Sequence, residues 1–424
     1  MSSARSQDSA TDAATDGQQP GPRKAAIAFI FITVVLDVLA LGVVIPVLPK
    51  LIENFLAGNT ARAAEILGYF GTVWALMQFV FSPLLGSLSD RFGRRTVILT
   101  SNFGLGLDYI VMALAPTLGW LFAGRVVSGI TAAGFSTAMA YIADVTPPEK
   151  RASSYGVVGA AWGLGFVLGP ALGGVLGGID LRLPFWVAAA LTLLNAAYGL
   201  FVLPESLPPE KRTRFSWKRA NPVGSLVLLR SHGELLGLAT VYGLYGLAHY
   251  VLSSVFVLYA GHRYGWDATH VGLTLGLVGI CNIVVQALVV RRFVASFGER
   301  AALLTGLLFG AIGFAGYALA PTGLIFLLCV PVFSLMGFFG PAVQGLMTRR
   351  VGVGEQGQLQ GANASIMGIM GVLGPGLFTQ TFALFIDRWQ ALHLPGAPFL
   401  LAALLLLIAL ALAWAVTRAR AAPA

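Results

Sequence analysis

Charge is scarce in this 424-residue chain: Asp, Glu, Lys and Arg together make up 11% of it, against roughly a quarter in a soluble globular domain. With 57% hydrophobic residues and a mean hydropathy of +0.80, too little polar surface remains to cover a water-soluble fold. Cysteine is nearly absent. Cys281 and Cys329 fall in apolar stretches on no metal-ligand or redox spacing, so they read as small buried apolar residues and say nothing about compartment. There is no G-x-x-x-x-G-K-[ST] phosphate loop and no Gly-Lys pair, which argues against ATP hydrolysis by this polypeptide. The paired glycines of GLGFVLG precede no Rossmann unit. Two separated cysteines and five histidines dispersed along the chain supply no nucleophile or metal cluster for a membrane-embedded enzyme. Neither a cofactor nor a metal is expected.

What is present is apolar sequence in runs of about 20 residues, long enough to cross roughly 30 Å of hydrocarbon. Twelve spans are expected, near residues 25–49, 66–87, 96–116, 118–144, 152–178, 183–203, 235–260, 271–294, 301–320, 322–347, 358–386 and 396–417. Residues 1–24 are polar and poor in aromatics and read as a disordered tail, and residues 418–424 as a second tail. The segment 204–234, rich in Pro and basic residues, divides the chain into an N-terminal half, 25–203, and a C-terminal half, 235–417.

Placing both termini in the cytoplasm leaves only Lys50, Arg62, Arg182, Arg263 and Arg388 in outside loops and Arg125 within a span; the rest of the 27 basic residues face inward. This is a strong positive-inside bias. It also accounts for the net charge of +9 without nucleic acid, since the charges orient helices and meet anionic lipid heads.

The halves repeat at a constant offset of 205 residues: Phe92-Gly93 matches Phe297-Gly298, Ala115-Pro116-Thr117 matches Ala320-Pro321-Thr322, and Gly169-Pro170 matches Gly374-Pro375. A parallel six-helix duplication is the organisation of a secondary transporter whose halves rock about a midplane site. The fold expected is an all-α membrane protein of two pseudo-symmetric six-helix halves.

The loop after the second span reads GSLSDRFGRRTVI. Gly86 and Gly93 would permit a tight turn and close helix approach, Asp90 can face a helix N-terminus, and Arg91, Arg94 and Arg95 place positive charge on the cytoplasmic side. The segment meets every position of G-x-L-x-D-R-x-G-R-R/K and so resembles the major facilitator superfamily, of which that pattern is the signature. The resemblance implies the twelve-helix fold just described and an inner gate built from Asp90, Arg94 and Asp144. The equivalent loop of the second half, RRFVASFGERAAL, keeps only Phe297-Gly298 and Arg300, so the cluster is expected to be asymmetric.

The fifth span contains GLGFVLGPALGGVLGG, with Gly165, Gly169, Gly173 and Gly177 on one face and Pro170 and Gly174 among them. Close helix packing explains the pattern. It is also similar to the motif of the superfamily's drug:proton antiporters, which implies export. LDVLALGVVIPVLP, GLDYIVMALAPTLGWLFAGRVVSGITAA, EQGQLQG and WDAT narrow the resemblance to the tetracycline efflux transporters. Those pumps use a histidine in the eighth span and an aspartate in the ninth. Here neither span holds His, Asp or Glu, which separates the fold from the identity of the substrate.

Asp37 interrupts the first apolar run. An acid at a helix centre costs roughly 2.5–3.5 kcal/mol on insertion scales and normally faces a polar cavity or a partner. Held between burial and a nearby cation, such a carboxylate is poised to take up and release a proton. Arg125, the only Lys or Arg away from the end of a span, is the candidate counter-charge and lies in a stretch resembling the family's motif for proton coupling; Asp108 matches an acid of the tetracycline pumps. Each could instead serve only to fix helix packing.

Gln78, His249, Asn282 and Gln344 are candidates to line the substrate cavity, as are Asn102, Asn195 and Asn363, although hydrogen bonds between helices are the plainer role for most. Phe135, Tyr141, Trp162 and Phe166 could form an aromatic wall or simply pack. The combined expectation is a secondary active transporter, acting as a monomer in a bacterial inner membrane, that exports a small amphipathic drug-like compound in exchange for protons by alternating access. A proton-coupled metabolite or sugar transporter and a non-transporting sensor are the alternatives.

Overall fold

The computed structural model describes residues 22–131, 134–146, 151–213, 221–231, 233–352 and 355–418. The expected N-terminal tail lies outside these residues except for its last three, as does all but Arg418 of the C-terminal tail. The helices, in chain order, are α1 (Pro22–Val44), α2 (Leu48–Phe55), α3 (Thr60–Phe92), α4 (Arg94–Leu114), α5 (Leu118–Thr131), α6 (Gly134–Val145), α7 (Arg151–Ile179) and α8 (Leu183–Val202) in the first half. A short α9 (Val227–Ser231) precedes α10 (Gly233–Tyr264), α11 (Ala268–Val284), α12 (Arg291–Leu319), α13 (Gly323–Ser334), α14 (Phe339–Thr348), α15 (Gln356–Ile386) and α16 (Ala397–Arg418). No strand occurs among the described residues.

Helix ends follow local chemistry. The first expected span is interrupted at 45–47, where Pro46 lacks an N–H, and the chain turns through Ile45 N to Gly42 O and Val47 N to Val44 O before α2 begins. Asn59 caps α3 by accepting from Arg62 N at 2.9 Å. The expected eighth and ninth spans are one continuous helical trace, α11, a π-helical segment Val285–Val290 and α12, until Gly298 at φ 79 turns the chain. Among the described residues, ten segments are apolar and long enough to cross a membrane. Splitting the longest at Gly298 and adding α5 with α6, on either side of residues 132–133, reaches the expected twelve.

The duplication is visible in the backbone. Gly93 (φ 101, ψ 149) and Gly298 (φ 79, ψ 168) both adopt conformations that only glycine takes freely, and Ala115 (φ −51, ψ 119) and Ala320 (φ −56, ψ 116) end α4 and α12 alike. Pro170 and Pro375 sit inside α7 and α15. Large apolar side chains such as Leu194, Phe201, Leu324 and Leu328 point outward and are exposed, as a lipid-facing perimeter requires.

The halves meet through α3 against α15 and α7 against α11. Thr72 Oγ1 donates to Val372 O at 3.1 Å, and a Cβ on Gly174 would stand 2.7 Å from the Cα of Gly272. Lys50, just inside α2, reaches Gly261 of α10. These contacts lie at mid-length or toward the end remote from the basic loops 86–98 and 291–300, so the halves close against each other there.

Candidate functional site

Asp37 is half-buried on α1. Asn195 Nδ2, from α8, donates to Asp37 Oδ1 at 2.8 Å and to Thr33 O at 3.1 Å. Asn102 of α4 stands beside the same carboxylate. Asn195 and Asn102, expected from the sequence as possible lining of a substrate cavity, therefore serve the acid. The bare face of α7 lets α1 come close: a Cβ on Gly165 would stand 2.8 Å from Val38 Cβ, one on Gly169 2.7 Å from Gly42 Cα, and one on Gly173 would overlap the Val43 carbonyl. Gly174 faces the other way, onto α11. The glycine motif thus places α7 between the acid-bearing helix and the opposite half, with Pro170 against both Gly42 and Gly272.

Arg125 does not pair with Asp37 as the sequence suggested. Its guanidinium lies over the Trp74 ring, 5.3 Å from the centroid, within electrostatic reach of Tyr109 and Asp108. The reason is helix order: α5 packs against α3 and α4, whereas α1 packs against α7 and α8. Asp108 Oδ2 and Arg125 Nε are both buried without a hydrogen bond. The three charges therefore form two stations, Asp37 with its amides and Asp108 with Arg125.

At the basic end the anticipated cluster is assembled. Arg94 Nη1 meets Asp90 Oδ1 at 2.5 Å and Ser89 Oγ at 2.6 Å, and Arg94 Nε donates to Asp144 Oδ2 at 3.1 Å. Ser206 Oγ donates to the same Asp144 oxygen at 3.1 Å. Arg95 Nη2 donates to Leu200 O at 2.6 Å, and Arg91 lies over Phe92. The turn belongs to Gly93 alone. Gly86 lies within α3 with nothing within 4 Å of where a Cβ would stand, so the expected close approach there is absent.

Sequence reasoning missed Glu205. Its Oε1 accepts from Arg94 N at 2.9 Å and Leu207 N at 3.1 Å, supplying the anion that the N-terminus of α4 favours. A Cβ on Gly93 would collide with this carboxylate. Nothing in the sequence links positions 111 residues apart.

The second half has its own ion pair: Arg349 Nη2 meets Glu299 Oε1 at 2.8 Å. At the 205-residue offset Glu299 corresponds to Arg94 and Arg349 to Asp144. The pair is repeated with its charges exchanged, which is why a motif comparison overlooked it.

The cavity candidates divide. Gln344 Nε2 donates to Gln360 Oε1 at 3.0 Å and Gln344 Oε1 accepts from Asn363 at 3.2 Å, joining α14 to α15. Gln78 and Asn282 are half-buried, whereas His249 is exposed at mid-length of α10, its ring stacked on Tyr245. Tyr141 is buried and donates to Pro204 O, Trp162 and Phe166 stack on each other, and the Phe135 side chain lies outside the described residues. WDAT is a structural corner: Asp267 caps α11 by accepting from His270 N at 2.9 Å, which with the His270 ring holds its carboxyl below the usual range, and Trp266 packs against Tyr264 and Phe326.

The sequence pattern of the Major Facilitator Superfamily matches residues 30–375. The class C tetracycline resistance protein of Escherichia coli is 38% identical over 370 residues, covering 87% of this chain and 92% of that protein. The class G tetracycline resistance protein of Vibrio anguillarum is 34% identical, covering 92% of this chain and 96% of its own length. Among solved structures, a bacterial homologue of the human lysosomal transporter Spinster, inward-facing and unoccupied, superposes with a TM-score of 0.75 at 18% identity over 96% of this chain and all of that one; that likeness concerns the fold.

Proposed function

Because this chain belongs to the Major Facilitator Superfamily, we propose that it is a drug efflux transporter that exports a small amphipathic, tetracycline-like compound across the bacterial inner membrane in exchange for protons. The observation that carries the reading is Asp37, an acid at mid-membrane depth hydrogen-bonded by amides rather than neutralised by an ion pair. The extent of the similarity to tetracycline resistance proteins supports the substrate class.

In the cycle, Asp37 holds a proton while the cavity faces outward, substrate leaves, and the proton is released when the cavity faces the cytoplasm. The α7 glycines touch α1 on one side and α11 on the other, so rocking of the halves about α7 and α11 would alter the surroundings of Asp37 directly. Asp90, Arg94, Asp144 and Glu205 bias the two arrangements at the cytoplasmic end. The present arrangement, closed at the opposite end, is then the inward-facing one.

The test is flux in proteoliposomes carrying a pH gradient, with tetracycline within a substrate panel. Substrate should move against its concentration gradient, with protons moving the opposite way. A sugar or metabolite moving with protons instead would transfer the reading to a symporter.

The distribution of Lys and Arg supports a topology with both termini in the cytoplasm. In a variant without Cys281 and Cys329, single cysteines introduced at Ser2 or Ala424 should resist a membrane-impermeant maleimide in intact cells and react after lysis. External labelling of either would overturn the topology.

A further inference from the structure

Tyr245 lies 3.7 Å from Phe339 with the planes 12° apart, and 5.9 Å from His249 at 15°; Tyr242 lies 6.3 Å from Phe339 at 13°. Two helices, α10 and α14, thus build one column of nearly parallel rings.

The column opens inward. α10 is covered by α15, where Gly246 abuts Met367 and Tyr250 lies against Gly371 and Gly374, by α16, where Gly237 abuts Val416, and by α14 through Phe339. His249 is nevertheless exposed. On a helix enclosed this way, an exposed side chain at mid-length faces the space between the halves rather than lipid. One face of the imidazole is taken by Tyr245. One turn further along the same stripe, on the outer face of His249, is Ser253, small and exposed, with its hydroxyl bonded to Tyr250 O of its own helix, so this stripe adds no ring of its own beyond the exposed imidazole.

We propose that this outer face is the seat for a planar aromatic ring system of the transported compound, which extends the Phe339–Tyr245–His249 stack. Flat conjugated cations are the favoured class, because the mid-membrane charges of the first half are two acids, Asp37 and Asp108, against one base, Arg125. The proposal rests on the efflux reading for its biological meaning but can be measured without it.

Ethidium is the probe, with its fluorescence anisotropy read on detergent-purified protein, where no gradient or transport is needed. His249→Leu keeps the volume and removes the ring, and should weaken ethidium binding about three- to tenfold, the range of one aromatic stacking contact. His249→Phe keeps a ring and should bind within about twofold of the wild type. Absence of ethidium binding to the wild type, unchanged binding in His249→Leu, or equal weakening in both variants would overturn the proposal. If binding follows the expected pattern while liposomes show no pH-driven export, the efflux reading fails and the ring seat stands.

Discussion

Replacing Asp37 with Asn should leave insertion and folded amount at wild-type levels and lower pH-driven export per molecule by about two orders of magnitude, the scale on which loss of a positioned proton-transfer group is felt. The structure makes this a clean test. Asn195 donates to Asp37 Oδ1 at 2.8 Å, and the side-chain carbonyl of an asparagine can accept the same bond, so the helix contact survives while titration is lost. Asp37→Glu should keep part of the coupling. The measurement is proton-driven substrate flux in vesicles, normalised to folded protein. Wild-type coupling in Asp37→Asn would falsify the assignment and leave Asp37 a packing residue. Asp108→Asn should behave differently. Asp108 is an acid within electrostatic reach of Arg125, and its neutralisation leaves a half-buried cation, its Nε buried, beside Tyr109 and the Trp74 ring. The expected loss is therefore in the amount of folded protein rather than in coupling per folded molecule.

The fold was legible because it rests on features a sequence displays directly: apolar length, the alternation of basic and non-basic loops, and landmarks repeating at one offset. Gly93 and Asp90-Arg94-Asp144 were legible through a fixed loop pattern. Partnerships across the bundle were not. Asp37 and Arg125 share mid-membrane depth, but depth does not say which helices are neighbours, and α1 and α5 lie against different partners. Glu205 looked like an ordinary linker acid because its role depends on the chain returning to the N-terminus of α4. The second-half ion pair was hidden for another reason: charge exchange preserves the interaction and destroys the sequence similarity.

That exchange follows helix electrostatics. Arg94 begins α4 and Asp144 ends α6, each charge opposed by its helix dipole, and Glu205 supplies the missing anion at the start of α4. Glu299 follows the turn at Gly298 and Arg349 ends α14, both in the orientation the dipole favours, and no third residue is needed to compensate. A charge-assisted hydrogen bond contributes about 1.5–3 kcal/mol, so breaking the largely buried Arg94–Asp144 pair should shift the balance between conformations roughly ten- to a hundredfold, whereas breaking Arg349–Glu299, whose arginine is exposed, should shift it by no more than about fivefold. Arg94→Glu or Asp144→Arg alone should lower transport per inserted molecule accordingly. The double exchange Arg94→Glu/Asp144→Arg reproduces the polarity of the second half and removes the unfavourable dipole contacts, but sets the new carboxylate beside Asp90 and Glu205, and should regain part of the loss. Glu299→Arg/Arg349→Glu imposes the first half's polarity without an equivalent of Glu205, and should remain impaired. Transport normalised to inserted protein for the four single and two double variants checks this. Equal rescue in both halves would show that pairing alone matters and that the helix termini contribute nothing, and unchanged flux in every variant would reduce these loops to topology signals.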